Sequence, residues 1–144
     1  EDNFIMETDR ESVRSVRFTP VPANETASAM EQLILAYHAA YSESEINPLL
    51  LIPCVILDFL CIHPFRDGNG RMSRLLTTLL LYRCGYEIGK YISLEAKIAR
   101  TKESYYDALE ASQTGWHEGK DDPTAFIKYL LGTIIAAYRD FRRL

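Results

Sequence analysis

Between two strongly apolar segments the chain places a stretch that an apolar core does not need: His63-Pro64-Phe65-Arg66-Asp67-Gly68-Asn69-Gly70-Arg71-Met72-Ser73-Arg74. The first flank, Pro48 to about Ile62, is apolar nearly all round, which predicts a buried central helix. Asn47 suits its N-cap and Pro48 its first turn, while Pro53 predicts a kink or a delayed start. The second flank, Arg71 to Cys84, reads as another strongly apolar helix, closed by Gly85 as a left-handed cap. A polar loop pinned at both ends by buried helices has little conformational choice, so its side chains carry chemistry at fixed positions.

Each residue type in the loop has a use. Gly68 and Gly70 lack a Cβ, so the backbone can approach a bound group and point N–H donors at it. Arg71 and Arg74 stand at the start of the following helix, and a helix N-terminus is a ready phosphate site. Asp67 is a hard oxygen ligand of the kind that recruits Mg²⁺ together with substrate phosphates. His63 carries the side chain best able to take a proton near neutral pH. Together they point to a magnesium nucleotide beside a general base.

The stretch resembles the signature of Fic domains, His-x-Phe-x-(Asp/Glu)-Gly-Asn-Gly-Arg-x-x-Arg. Every fixed position is met, by His63, Phe65, Asp67, Gly68, Asn69, Gly70, Arg71 and Arg74. The flanks, from about Val13 to Tyr105-Tyr106 and the last helix, are similar to bacterial Fic proteins. The resemblance implies an all-α, Fic-type helical bundle with a central buried helix pair around the motif loop and a short β-hairpin flap. It also implies transfer of AMP from ATP to a serine, threonine or tyrosine hydroxyl of a protein target, which could be the chain itself. In that reading the phosphates lie over Gly68, Asn69 and Gly70, Asp67 holds Mg²⁺, Arg71 neutralises the β and γ phosphates, and His63 is the base. Arg74 contacts the γ-phosphate or a regulatory carboxylate, and Phe65 anchors the loop in the core. Tyr105 and Tyr106 are candidate adenine contacts, with structural packing the preferred alternative. The flap, about residues 13–22 with Val16, Arg17 and Phe18, would bind the target backbone by strand addition. Two alternatives stay open: a nucleotide-sensing module without turnover, and transfer of another phosphate-containing group.

The resemblance divides the chain into an N-terminal arm, 1–12, and a Fic domain, 13–144, as a fragment of a longer chain that could form a homodimer. Many relatives are held off by a helix bearing Ser/Thr-x-x-x-Glu-Gly/Asn, whose glutamate pairs with the second motif arginine. Thr114-Gly115-Trp116-His117-Glu118-Gly119 matches that pattern, but its glycines make it read as a loop. The expectation is therefore an inhibitory segment outside this sequence, leaving Arg74 free.

Elsewhere the pattern is helical. Asn24, or Ser28 with Glu31 as a capping box, starts a helix to about Tyr41 with Met30, Leu33, Ile34, Tyr37 and Tyr41 as core and His38 on the surface. Ser93 caps a helix carrying Ile98, Lys102, Tyr105, Tyr106 and Leu109. Asp122-Pro123 caps a last helix to about Arg143 with Phe126, Leu130, Ile134 and Tyr138 as its buried stripe.

Composition narrows the function classes. At 144 residues and 47% hydrophobic the chain can bury a core without staples. A net charge of −4 argues against a direct nucleic-acid binder. Cys54, Cys61 and Cys84 all lie in apolar segments and read as reduced core thiols, which with no secretory signal points to the cytoplasm. No Cys/His pair has zinc-ligand spacing, no Walker-type Gly-x-x-x-x-Gly-Lys-Ser/Thr run occurs, and the apolar runs fall short of a membrane span.

Overall fold

A computed structural model describes residues 5–8, 14–43 and 45–144, with the side chains of 5–8 and 14–17 outside the description. Two antiparallel strands, β1 (Ile5–Thr8) and β2 (Arg14–Phe18), pair Met6 with Val16 and Thr8 with Arg14. The register skips Arg17 between the Ile5–Phe18 and Met6–Val16 pairs. The pairing thus draws in part of the segment read as an arm. Val13 and the side chains of Val16 and Arg17 lie outside the described residues.

The six helices that follow are α1 (Ala23–Glu43), α2 (Pro48–Ile62), α3 (Asn69–Arg83), α4 (Leu94–Arg100), α5 (Lys102–Gln113) and α6 (Thr124–Arg142), with a 3₁₀ turn at Ile88–Lys90. The fold is all-α around α2, which packs on α1, α3, α5 and α6. Its start is local chemistry: the Asn47 side chain accepts from the Leu49 N–H at 2.9 Å, and proline occupies the first turn. The helix begins at Pro48 and runs through the buried Pro53, so the start is not delayed. Ile52, Ile56, Leu57, Phe59 and Leu60 form the centre of the core.

Other ends are set just as locally. After α3, Gly85 (φ 93°) donates to the Tyr82 carbonyl and Tyr86 N–H reaches Leu81, the paired bonds of a Schellman motif. Ser93 Oγ accepts from the Ala96 N–H at 3.0 Å to open α4. Asp122 accepts from the Thr124 N–H and hydroxyl ahead of α6, and those bonds lower its carboxyl pKa. Phe126, Leu130 and Ile134 of α6 are buried as the spacing predicts, with Tyr138 partly so.

Three expectations are corrected. Helix α1 starts at Ala23, ahead of both Asn24 and Ser28, and none of its residues is buried. Its inner face is Met30, Leu33 and Tyr37, while Ile34 and Tyr41 are exposed, because the helix touches the bundle on one side only. The helix expected from Ser93 through Leu109 is two helices. It breaks at Thr101 (φ −117°, ψ 36°), whose hydroxyl meets Tyr129 Oη of α6 at 2.7 Å. Finally, α3 begins at Asn69 rather than Arg71 and is not strongly buried: Leu75 is 64% and Leu79 52% exposed.

The cysteines are all free thiols, and burial pushes the Cys61 thiol far up, which suits an inert core residue. Among the described residues no helix is long and apolar enough to cross a membrane.

Candidate active site around the His63–Arg74 loop

Helix α2 ends at His63, which adopts the left-handed conformation (φ 55°, ψ 60°) while its N–H still bonds the Phe59 carbonyl at 2.9 Å. Two causes combine here. Pro64 disfavours right-handed helix at the residue before it, and histidine tolerates positive φ better than most. Among the described residues it is the only non-glycine with positive φ, a form of backbone strain that gathers at functional positions. Its imidazole is half-buried. Burial lowers its pKa below the ordinary 6.5, and a hydrogen bond with the backbone of Leu60 pulls the other way.

Asn69 is what holds the loop shut. It is buried, and its side chain accepts from the Phe65 N–H at 2.9 Å and donates to the Phe65 carbonyl at 2.6 Å. Those bonds satisfy both backbone groups of a loop residue that no helix or strand could serve. Phe65 itself is 45% exposed, its ring 6.4 Å from Phe59, so the loop is stapled by an amide and not by a buried phenyl ring. Asn69's side chain is thereby engaged within the loop.

Gly68, with φ 84°, is the N-cap of α3, and no side chain caps the N-terminus. The first N–H groups therefore remain as donors for an anion. Both glycines also make room for arginines. A Cβ on Gly68 would stand 3.4 Å from Arg71 Nη2, and one on Gly70 would stand 3.1 Å from Arg74 Nη1. Both guanidinium groups thus fold back against the first turn of α3. Arg71 lies 3.7 Å from Asp67, whose side chain is 94% exposed. A pair this open is worth little, about 0–1 kcal/mol, so both charges stay available.

Arg74 is less open, and it is not free. Its Nη2 meets Glu95 of α4 at 3.4 Å, which corrects the expectation of an unpaired arginine. Nothing in the sequence spacing signals this contact. Ser73 Oγ donates to the Gly70 carbonyl at 2.7 Å and meets the Tyr105 hydroxyl, tying α5 to the first turn of α3. Tyr105 is buried against Tyr106, Phe126 and Tyr129, and burial, tempered by nearby Arg74, pushes its hydroxyl pKa up to about 12. Tyr106 is 37% exposed and shares its helix face with Glu110 and Gln113, at i+4 and i+7.

Gln113 is the residue that sequence reasoning missed. It is buried, and among the described residues its amide meets only a weak partner, the buried Cys61 thiol, so most of its hydrogen-bonding capacity is unmet. It lines a cavity of about 290 Å³ with Phe18, Glu110, Trp116 and His117, at the root of β2. The residues Thr114–Gly119 form turns and not a helix, as their glycines foretold.

Known proteins share the family pattern and the fold. The pattern of the Fic/DOC family matches residues 2–81. A Fido domain-containing protein of Dictyostelium discoideum is 27% identical over 83% of this chain and 78% of its own length. The protein adenylyltransferase fic-1 of Caenorhabditis elegans is 31% identical over 79% of this chain, which spans only 20% of that protein. Among solved structures, a Fic family protein from Desulfovibrio desulfuricans superposes with a TM-score of 0.73 at 26% identity, covering 99% of this chain and 40% of that one. A Fic domain-containing signaling protein from Bacteroides thetaiotaomicron gives 0.68 at 22% identity, with 95% and 51% covered, and supports the fold alone. A motif complete at every fixed position, a helical fold that superposes along nearly the whole chain and a family pattern over more than half of it lead to one assignment: this chain belongs to the Fic/DOC family.

Proposed function

We propose that the domain transfers AMP from ATP to a hydroxyl side chain of a protein, with His63 as general base. The observation that carries the reading is a half-buried imidazole held in a strained backbone beside an uncapped helix N-terminus that two arginines flank. The names of the nematode relative and of mosquito relatives, protein adenylyltransferases, support it.

In the proposed reaction the triphosphate lies along the N–H groups of Asn69, Gly70 and Arg71, with Arg71 and Arg74 on its outer oxygens. The target hydroxyl oxygen attacks the α-phosphorus while its proton passes to His63. The bond from that phosphorus to the β-bridging oxygen breaks, pyrophosphate leaves, and the target keeps AMP as a phosphodiester. Stabilising charge on the phosphates is the larger part of the catalysis, and the preformed N–H groups and guanidinium groups supply it. Asp67 offers a single exposed carboxylate, and no group of three metal-binding side chains occurs among the described residues. That donor set fits Mg²⁺ held mainly by substrate phosphates, where the ion would neutralise phosphate charge.

For the adenine ring, Tyr106 is better exposed than Tyr105, which is buried. Incubating the protein with Mg²⁺ and ATP labelled on the α-phosphate, then locating added AMP by mass spectrometry, tests the reading. Nucleotide binding with no label on any protein would replace it with a sensing module.

A further inference from the structure

The Thr114–Gly119 loop does something that neither the motif nor the inhibitor-like pattern assigns to it. Its Trp116 Nε1–H donates to Asp58 Oδ1 at 2.9 Å, across to α2. Asp58 lies one turn before the end of that helix, and His63 is its C-cap. On the other side, the His117 ring stacks on Phe18, the last residue of β2, with centroids 5.3 Å apart and planes at 10°. Trp116 meets the same phenyl ring edge-on at 6.4 Å, and His117 Nε2 hydrogen-bonds the Thr19 carbonyl. The next residues, Pro20 and Val21, are buried, so the strand leaves the bundle from a fixed point. The loop is itself tight: Lys120 N–H and Glu118 N–H both bond the Gly115 carbonyl, and a Cβ on Gly115 would stand 3.2 Å from the Lys120 backbone.

We propose that this loop is a clamp that fixes strand β2 relative to the His63 end of α2, with Trp116 and His117 as positioning residues for the protein target. The clamp joins two elements that are far apart in sequence, 58 residues for the Trp116–Asp58 bond and 98 for His117–Thr19. The sheet has only two strands among the described residues, so β2 presents an open edge on which an extended target segment can pair. A hydroxyl on such a segment meets His63 only if the strand's height above α2 is set, and a misplacement of about 1 Å costs on the order of a hundredfold in rate. Neither clamp residue touches the phosphate cradle, so nucleotide affinity is independent of them. This role rests on the transfer reading, whereas the clamp itself does not.

The test uses Trp116→Phe, which removes the N–H and keeps a ring, His117→Ala, and His117→Gln, which keeps a donor for the Thr19 carbonyl. The acceptor is a His63→Ala copy of the chain, titrated against each variant with labelled ATP and Mg²⁺. Amide exchange of Arg14–Phe18 is followed in parallel, with the α2 amides as a folding control. We expect Trp116→Phe and His117→Ala to speed exchange in β2 and to raise the acceptor KM by roughly tenfold, the size of one lost hydrogen bond and aromatic contact, with ATP affinity unchanged and His117→Gln intermediate. Unchanged β2 exchange in well-folded variants overturns the clamp. Faster exchange with an unchanged acceptor KM keeps the clamp but overturns the role in target positioning. A wild-type protein that modifies no acceptor counts against the transfer reading, and the exchange data still decide the clamp by themselves.

Discussion

Helices α2 and α3 flank the same loop and have the same length, 15 residues each, but they are held by different forces. Helix α2 buries nine residues, and all of them are apolar. Helix α3 buries five, and three of these are Asn69, Ser73 and Thr77, spaced by four on one face. Each makes a hydrogen bond to backbone: Asn69 to Phe65, Ser73 to the Gly70 carbonyl, Thr77 to the Ser73 carbonyl. Its leucines at 75 and 79 face solvent. The hydrophobic effect fixes where α2 sits, but it is non-directional and sets no orientation. Hydrogen bonds with defined geometry fix the loop and the first turn of α3, where a phosphate site needs its donors aimed. One helix is therefore a pedestal for stability and the other a positioning device.

The largest expected effect falls on the residue where the two meet. His63→Ala should lower transfer by about 10²-fold or more while leaving nucleotide affinity nearly intact, because binding rests on N–H groups and arginines. Transfer within about tenfold of wild type, measured under saturating ATP, would remove His63 as the base. Asp67→Ala should weaken Mg²⁺-dependent ATP binding, and moderate Mg²⁺ should not restore it, since no other carboxylate lies in the loop. Calorimetry giving equal affinities in saturating Mg²⁺ would end its assignment as the metal ligand.

The comparison itself is sharpened by a matched pair. Leu57→Ala in α2 should cost about 2–5 kcal/mol of stability with little change in transfer per folded molecule. Asn69→Ala in α3 should cost less, about 1–3 kcal/mol, yet lower transfer strongly, because the Phe65 backbone loses both partners and the loop loosens. Urea unfolding and turnover, measured on both, should give opposite rankings. The same ranking on both scales would break the distinction between pedestal and positioning device.

A smaller effect concerns pH. A base must be unprotonated, and burial holds the His63 pKa below 6.5, so the acid limb of kcat/KM should have its midpoint below 6.5. The same shift bears on stability. Above 6.5 the imidazole is neutral in both folded and unfolded chains and its contribution is fully present, and it is lost as pH falls from 6.5 to the lowered folded value. An acid limb at or above 6.5 would contradict the burial seen here. The smallest effect is none: Glu118→Gly should leave activity unchanged, because Thr114–Gly119 is a turn rather than a helix and Arg74 already meets Glu95. A large rise in self-modification would show that Glu118 is an inhibitor after all.

What the sequence determined by itself is the chemistry that acts within a few residues. Asn47, Ser93 and Asp122 announce helix starts, and Gly85 a helix end, because a cap closes its hydrogen bond within four positions along the chain. The motif is legible for the same reason, since glycines, Asp67 and the arginines share one turn. The burial of α2 also follows from sequence, for a helix apolar on every face has no other place to go. Tertiary structure alone decided what depends on a distant partner. Which face of α3 turned inward is one such matter: the backbone partners of Asn69, Ser73 and Thr77 lie within four residues, but only the packing of the bundle put these polar groups inside and left Leu75 and Leu79 outside. Thr101 broke a continuous helical pattern at a tyrosine 28 residues away. The Trp116–Asp58 bond likewise needed packing to bring together groups 58 residues apart, because a half-buried carboxylate takes whichever donor the fold delivers.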